Sequence, residues 1–371
     1  MNKGLSVYLD GLRAFAAFVV LLSHFAYPRF SNGDYIWIRD YNLGSDAVML
    51  FFVLSGFVIA FTADQKDRTA GSFLFNRLTR IYSVALPALV LTFAIDALGS
   101  HLYFKAYDGW WYASSAPVAR FLAAATFTNE LGFQHIRVGT NGPYWSLTYE
   151  VWYYALFAAV TFLQGARRWI VGVLVALIAG PKILVLGVSW GAGVAAYHLS
   201  ARVTAMSSDR ALALMWLPVA VYAACLLSGV PKMLLHWEYA VLGEDFVRRS
   251  LAFSDEFIWN GFIGLLFAGH ILGAVRVMAE RPMANARINT AVRWLAGGSF
   301  SLYIVHYPLL QFIGAALPGA RTTPAGQLLV LLLVIAGCYA FAAVFERTLN
   351  RQRAWLVETA RRLAILRPQA V

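Results

Sequence analysis

The sequence contains few charged residues. Of its 371 residues, 13% are Asp, Glu, Lys or Arg and 60% are hydrophobic. A soluble globular domain has about 25% charged and about 45–50% apolar residues. This composition excludes an ordinary soluble enzyme and indicates a polytopic integral membrane protein. The 12 Trp and 18 Tyr suit the two interfacial belts of such a protein.

Cysteine is nearly absent and metal-ligand patterns are missing. Cys225 and Cys338 lie inside apolar runs, which favours inert core thiols over a disulfide. No zinc-ligand spacing occurs, so we expect no metal site. The formal net charge is +11, but the basic residues lie between apolar runs and not in a patch with interleaved aromatics. Nucleic-acid binding is therefore not expected. Asp10 and Arg13 interrupt the first apolar stretch, which is unlike a cleaved signal peptide.

The apolar runs predict an all-α transmembrane bundle that forms one domain over residues 1–371. A bilayer core needs about 20 apolar residues per helix. We place about ten spans, at 5–26, 44–63, 81–98, 143–163, 169–180, 183–199, 211–228, 257–275, 294–316 and 326–345. The fifth ends at Gly180-Pro181 and is predicted to be a half-helix in a tight hairpin with the sixth. Segment 118–135 contains Arg120 and Glu130, and we interpret it as a short interfacial or re-entrant helix.

The distribution of lysine and arginine predicts the orientation of the bundle. If the N-terminus is inside, most of the basic residues fall in segments on the cytoplasmic side. The outside segments then contain about as many acidic as basic residues. This is the bias that orients membrane proteins, so we predict that both termini are cytoplasmic.

The first span carries ionisable residues at membrane depth, where they are costly and usually functional. Arg13 and His24 are eleven residues apart, which places them on one helix face, about 20° past three full turns and about 16 Å apart along the axis. Asp10 can pair with Arg13. A packing salt bridge and an interfacial histidine are the plainer interpretation. Two polar groups stacked on one face favour a lined cavity.

Glu150 begins the fourth span and is therefore predicted near the outer face, at the depth of His24. A carboxylate beside an imidazole would orient it and favour its protonated form. The alternative is a carboxylate that binds its Trp and Tyr neighbours, among them Tyr149 and Tyr154.

Other polar residues in the spans are weaker candidates. Arg77 and Arg80 lie at the inner end of the third span, just before residue 81, and are either topology anchors or a phosphate clamp, because guanidinium groups suit phosphate. His306 is either a packing histidine or part of the site. Gly44 and Gly56 favour close packing of the second span. The remaining candidate positions are Asp46, Ser55, Trp145, Ser146 and Tyr303.

Five motifs in order resemble the bacterial membrane acyltransferase 3 family, which includes polysaccharide O-acetyltransferases. They are Leu9-Asp10-Gly11-Leu12-Arg13 with His24, Phe51-Phe52-Val53-Leu54-Ser55-Gly56-Phe57, Arg77-Leu78-Thr79-Arg80-Ile81-Tyr82, Trp145-Ser146-Leu147-Thr148-Tyr149-Glu150 and Phe300-Ser301-Leu302-Tyr303-Ile304-Val305-His306. One such motif is weak, but five in order over nearly the whole chain are specific.

The resemblance implies a ten-helix fold in the bacterial inner membrane, without a fused extracytoplasmic domain. It implies acyl transfer, with acetyl as the expected group, from cytoplasmic acyl-CoA to a hydroxyl of an extracytoplasmic glycan or glycolipid. No permanently bound cofactor is implied. Arg13 and His24 would be the key pair, with His24 as general base or acyl acceptor. Arg77 and Arg80 would lie near the nucleotide end of the donor.

Two other classes of function remain open on the sequence. A transporter or flippase for a sugar-lipid or small metabolite would use Asp10, Arg13 and His24 as a substrate or proton path. A membrane scaffold would tolerate substitution of these buried charges. Release of free CoA thiol from acetyl-CoA separates the first alternative from the enzyme.

Overall fold

A computed structural model describes residues 1–280 and 285–362, and these residues form an all-helical bundle. Its only β feature within this part of the chain is an isolated bridge between Val138 and Asn141. This confirms the all-α prediction. Arg281, which contributed to the predicted basic inside surface, lies outside the described residues.

Long and short α-helices follow one another without a regular pattern. Those of the first half are α1 (Lys3–Phe25), α2 (Pro28–Ser31), α3 (Trp37–Asp40), α4 (Leu43–Gln65), α5 (Ala70–Leu102), α6 (Pro117–Ala125), α7 (Trp145–Phe162) and α8 (Gly165–Ala179). Those of the second half are α9 (Pro181–Val203), α10 (Ser208–Leu227), α11 (Val230–Leu242), α12 (Glu244–Phe246), α13 (Phe257–Glu280), α14 (Ala286–Ala296), α15 (Ser299–Ala316), α16 (Pro324–Val344) and α17 (Leu349–Arg362). We call the end of the bundle where α1 begins the terminal face, and the end where α1 finishes the loop face.

Seven helical stretches among the described residues are long and apolar enough to cross a membrane. They contain α1, α4, α5, α9, α10, α13 and α16. The other three predicted spans coincide with α7, α8 and α15, which are helices of 15 to 18 residues. A count of ten spans therefore remains a prediction. Rows of exposed leucines on α16, such as Leu328 and Leu332, present the apolar surface that lipid requires.

Two helices have bounds that differ from the predicted spans. The span predicted at 294–316 begins only at Ser299, because Gly297 and Gly298 end α14 and the chain restarts as α15. Glu346 accepts hydrogen bonds from the free backbone N–H groups of Phe300 (3.4 Å) and Ser301 (2.8 Å). A carboxylate in this position also complements the positive end of the helix dipole.

The third helix is longer than the predicted span 81–98. It begins at Ala70, because Thr69 and Ser72 form a capping box there. Its 33 residues extend over about 50 Å, compared with about 30 Å for the hydrocarbon core. Arg77 and Arg80 therefore lie on a helix surface within the protein and not at a helix end.

The predicted re-entrant helix at 118–135 is helical only in α6. The following segment, 126–144, is mostly irregular and is largely buried apart from residues 126 and 133–135, and polar contacts hold it to the bundle. Thr140 donates its backbone N–H and its hydroxyl to the Asp96 carboxylate of α5 at 2.8 and 2.7 Å. Asn141 donates to the Ile304 carbonyl of α15 at 2.9 Å. These bonds place the start of α7 beside the second turn of α15, well inside the bundle.

The predicted break at Gly180-Pro181 between the fifth and sixth helices is confirmed. Helix α8 has 15 residues, its cap Gly180 adopts φ +85°, and Pro181 starts α9. Because Gly180 packs directly on the backbone of Gly132, the hairpin tip is fixed to segment 126–144. The backbone N–H of Gly132 also donates to the Ala179 carbonyl at 3.0 Å.

Helices α4 and α9 approach each other at a reciprocal pair of glycines. A Cβ at Gly56 would collide with the Trp190 carbonyl, and a Cβ at Gly193 would collide with the Val53 carbonyl. Small residues of this kind allow membrane helices to pack closely. The predicted packing role of Gly56 is confirmed, and the contact fixes Ser55 of the same turn against the interior.

We predict that the fold depends on the buried ion pair between Lys182 and Glu130. The two groups are 2.7 Å apart and their side chains are 0% and 1% exposed. Glu130→Gln leaves a buried ammonium without its carboxylate, which should lower the free energy of unfolding by about 3–5 kcal/mol. Unfolding of the detergent-solubilised protein by denaturant measures this change.

The matched control is Glu244→Gln, which removes an exposed ion pair with Arg248 whose side chains are 61% and 60% exposed. It should leave stability unchanged. The double variant Glu130→Gln with Lys182→Met should recover part of the loss. Equal stability of Glu130→Gln and the native protein would contradict the prediction.

Candidate active site

A cavity of about 230 Å³ lies among α1, α4, α5, α7 and α15. Met1 and Arg77 line its end toward the terminal face, and Ser146 and Tyr303 line it deeper in the bundle. Apolar side chains of α4, among them Phe51, form much of the wall between them. Eight of the predicted site residues line this cavity, namely Asp10, Arg13, Ser55, Arg77, Arg80, Ser146, Glu150 and Tyr303. The cavity therefore joins residues from all five motifs.

Arginine dominates the cavity wall near the terminal face. Arg13 donates to Asp10 at 2.9 Å, as predicted, and to the Ala296 carbonyl at 3.2 Å. Arg77 binds Asp67 at 3.3 Å. The Nε atoms of both arginines are buried without a hydrogen-bond partner among the described residues. Arg80 forms no ion pair with any of the described residues. These guanidinium groups therefore retain donor capacity for a ligand.

A fourth arginine joins them from the last helix. Arg353 of α17 donates to the Thr79 hydroxyl at 2.9 Å and to the Asn76 carbonyl at 2.6 Å. It interacts electrostatically with Arg77 and Arg80. We call Arg13, Arg77, Arg80 and Arg353 the arginine cluster. Sequence reasoning missed Arg353, because no periodicity or motif brings a residue after the last span back to α5.

Glu150 does not lie where the sequence placed it. Its Oε1 accepts hydrogen bonds from Ser55 and Tyr154, each at 2.5 Å. Because segment 126–144 runs into the bundle, α7 starts well below the loop face and Glu150 reaches the middle of α4. The predicted contact between Glu150 and His24 was therefore wrong, and the alternative of a carboxylate bound to a tyrosine neighbour is confirmed.

His24 pairs with His306 instead. His306 Nδ1 lies 2.9 and 2.7 Å from the carbonyl oxygens of Leu302 and Tyr303, so it must carry a proton and donate. Its Nε2 is then an acceptor, 3.0 Å from His24 Nδ1. His24 Nδ1 also lies 3.0 Å from the Val20 carbonyl, so it is the donor of the pair.

This chain of hydrogen bonds fixes the tautomer of His24. With the proton on Nδ1, the neutral ring has its lone pair on Nε2. His24 Nε2 forms no hydrogen bond within the described residues. The structure thus presents an unprotonated imidazole nitrogen next to the loop face, where Tyr307 packs edge-on against the ring at 4.9 Å.

Tyr303 separates the cavity from the histidine pair. Its hydroxyl lies 2.6 Å from Ser146 Oγ and donates to the Pro143 carbonyl at 3.1 Å. Its ring lines the cavity and lies 6.3 Å from the ring of His306, one turn farther along α15. His24 and His306 do not line the cavity. The predicted route from Arg13 to His24 is thus interrupted at this tyrosine.

Three further candidate residues, Asp46, Trp145 and Tyr149, belong neither to the cavity lining nor to the histidine pair. The Asp46 carboxylate accepts hydrogen bonds from Trp259 and Tyr222 at 2.9 and 2.7 Å, which ties α4 to α13 and α10. The Trp145 ring stacks on Phe253, with centroids 4.8 Å apart. The Tyr149 hydroxyl contacts Ser254 at 3.1 Å. Their contacts are those of packing residues.

Comparison with known proteins matches the motifs. A profile of the acyltransferase 3 family, described as an acyltransferase domain, covers residues 6–343. The acyltransferase MdmB of Streptomyces mycarofaciens is 25% identical in an alignment of length 360 that covers 88% of this chain and 87% of MdmB. The O-acetyltransferase OatA of Staphylococcus aureus is 25% identical over 337 residues. That alignment covers 83% of this chain and 51% of OatA, so the chain spans about half the length of this relative.

No solved structure matches the chain significantly. Arg353 and the rest of α17 lie beyond the residues that the family profile covers. The profile nevertheless includes the histidine pair, the residues that line the cavity apart from Met1, and the predicted spans except for one residue of the first and two of the last. This coverage decides against the transporter and the scaffold, and the chain belongs to the acyltransferase 3 family of multi-pass membrane O-acyltransferases.

Proposed function

We propose that the protein transfers an acyl group, in the first place acetyl, from acyl-CoA on the cytoplasmic side to a hydroxyl of a glycan or glycolipid beyond the bacterial inner membrane. The observation that carries this proposal is the separation of two groups of residues along α1. The arginine cluster lies at the terminal face, and His24 lies near the loop face. One site suits a polyanionic donor and the other suits deprotonation of an acceptor.

Orientation follows from the same separation. CoA is a cytoplasmic metabolite, so the arginine cluster should face the cytoplasm. The excess of lysine and arginine in the loops of the terminal face agrees with this orientation. Both termini would then be cytoplasmic, and the loop face would meet the acceptor.

The donor would bind with its phosphates on the arginine cluster. Charge-assisted bonds from guanidinium groups to phosphate are strong and geometrically specific. The thin pantetheine arm would enter the cavity, whose wall is apolar at Phe51 and Phe52 and polar at Ser55 and Glu150. Glu150 would act as a positioning residue, because it holds Ser55 and Tyr154 against the arm.

Transfer would require the thioester to pass Tyr303. In the direct route, His24 Nε2 takes the proton of the acceptor hydroxyl while the oxygen attacks the thioester carbonyl. The carbon–sulfur bond then breaks, and the CoA thiolate takes the proton from His24. His306 would keep the lone pair of His24 on Nε2.

A two-step route would use the same nitrogen as a nucleophile. His24 Nε2 would attack the thioester carbonyl and release CoA as its thiolate, which takes a proton from water. The acceptor oxygen would then take the acyl group, its proton would pass to the freed Nε2, and His24 would return this proton to water. The direct route needs both substrates bound together, whereas the two-step route gives ping-pong kinetics. Initial rates at varied donor and acceptor concentrations separate these routes.

We predict that His24→Ala lowers the rate of acetyl transfer by about 10²- to 10⁴-fold, the usual contribution of a general base. The affinity for acetyl-CoA should not change, because His24 does not line the cavity. His306→Gln should reduce the rate less, because it removes the group that fixes the tautomer but leaves the base. Release of CoA thiol by the purified protein, in the presence of acceptor, measures both effects. A normal rate for His24→Ala would refute the mechanism.

We predict that the double variant Arg77→Gln with Arg80→Gln raises the Kd of CoA at least about tenfold, since each charged hydrogen bond contributes about 1.5–3 kcal/mol. Arg353→Gln alone should act in the same direction. Calorimetry with CoA at two salt concentrations measures the affinity and its electrostatic part.

Arg210→Gln is the matched control, because Arg210 is an exposed arginine at the terminal face outside the cavity. It should leave CoA binding unchanged. A Kd for the double variant equal to that of the native protein would remove the phosphate clamp from the proposal.

A further inference from the structure

Three arginines from separate segments converge at the loop face beside His24. Arg29 belongs to α2, Arg39 to α3, and Arg137 to segment 126–144. All three interact electrostatically with the hydroxyl of Tyr307, whose ring packs edge-on against His24. Arg29 and Arg39 also interact electrostatically with the His24 imidazole. These charges therefore surround the place where the acceptor hydroxyl would react.

Aromatic rings and neutral oxygens hold these guanidinium groups. Arg29 lies 4.3 Å from the ring centroid of Tyr27 and 4.6 Å from that of Trp111, and it donates to the Tyr307 hydroxyl. Arg39 lies 3.5 Å from the Tyr27 centroid and donates to the Ser23 carbonyl.

The third arginine is held in the same way. Arg137 lies 5.4 Å from the Trp110 ring and donates to the Trp111 carbonyl at 3.4 Å. We call Arg29, Arg39 and Arg137, with the rings of Tyr27, Trp110 and Trp111, the loop-face cluster.

Carboxylate partners are missing from the loop-face cluster. Among the described residues, none of its three arginines forms an ion pair, although Lys182, Arg248 and Arg249 elsewhere toward this face each pair with a carboxylate. Like charges so close repel one another, and cation–π contacts offset this repulsion only in part. An oxyanion among the three arginines would relieve it and gain charge-assisted hydrogen bonds.

The rings of the cluster add a second recognition element. Trp110 is 61% exposed, which is unusual for a large aromatic side chain unless it meets lipid or a ligand. A flat apolar ring beside fixed donors suits the face of a sugar ring with a charged substituent. The cluster thus combines a surface for a pyranose with a site for an anion.

We propose that the acceptor carries an oxyanion, a carboxylate or a phosphate, next to the hydroxyl that is acylated, and that the loop-face cluster binds it. This inference rests on the proposed function, since it assigns His24 to the acceptor side. It narrows the acceptor to acidic glycans or to sugars linked to lipid through phosphate. A neutral glycan would leave the three charges without a partner.

The experiment compares alkyl glycosides that differ in one group. The purified protein in zwitterionic nanodiscs is titrated with an alkyl glucuronide, an alkyl glucoside phosphate and the neutral alkyl glucoside. Binding is measured by calorimetry, and transfer by radiolabelled acetyl from acetyl-CoA. We expect at least about tenfold tighter binding of one or both anionic glycosides, with a preference that falls as salt increases. Preference for the carboxylate indicates an acidic glycan, and preference for the phosphate indicates a lipid-linked sugar.

The variants test whether the cluster is responsible. Arg29→Gln with Arg39→Gln should abolish the preference for the anionic glycoside and leave binding of the neutral glycoside and of CoA within about threefold. Arg39→Lys retains the charge and should retain the preference. Arg249→Gln, an exposed arginine of another loop, is the control and should bind as the native protein does.

Equal affinity of the native protein for all three glycosides would overturn the inference. A preference that survives in the double variant would also overturn it. If the cluster binds only bilayer phosphate, anionic lipid in the nanodisc should change the rate with every acceptor equally, and this result would also count against it. If the proposed function itself is wrong, the native protein should not bind CoA, and this result distinguishes that failure from failure of the inference.

Discussion

Every polar group inside a bilayer must find its partner within the protein, and this constraint shapes the whole site. Segment 126–144 enters the bundle only because Asp96 and the Ile304 carbonyl satisfy Thr140 and Asn141. Because this segment lies inside the bundle, α7 also begins inside it, and Glu150 contacts Ser55 near the middle of α4. The ion pair of Lys182 with Glu130 holds the same segment to the α8–α9 hairpin. Buried polar pairing thus helps to position the helices that line the cavity.

In the proposed mechanism the two ends of α1 serve different chemistries, and α1 can separate them because it is continuous over 23 residues. Arg13 lies where guanidinium groups from α5 and α17 can reach it, and His24 lies where α15 supplies His306. Tyr303 is bonded to Ser146 between these two groups, which closes the cavity toward the loop face. In the proposed mechanism an acyl group crosses this point while bulk water and ions do not. A side chain held by two hydrogen bonds, and not by a covalent or ionic link, suits such a barrier.

The sequence predicted the helices well and the polar contacts poorly. Composition and hydropathy were sufficient for the all-α bundle and the α8–α9 hairpin, because these depend on local patterns. The predicted depth of Glu150 was wrong, because hydropathy does not show that the irregular segment before α7 lies inside the bundle. Arg353 was missed, because its approach to α5 depends on the path of the chain after α16. Both errors concern contacts between residues that are distant in the sequence, and one sequence does not encode these contacts as a pattern.

The partner of His24 is His306 and not the predicted carboxylate, and this difference changes how His24 can act as a base. A carboxylate beside His24 would stabilise the imidazolium charge as well as the ring orientation. A neutral imidazole that is itself locked by two backbone carbonyls supplies only the orientation, because its Nε2 can accept the Nδ1 proton but carries no negative charge. His24 would then hold the proton of the acceptor briefly and pass it on when the CoA thiolate leaves. A base of this kind suits a reaction in which proton uptake and proton release occur in one turnover, on one nitrogen.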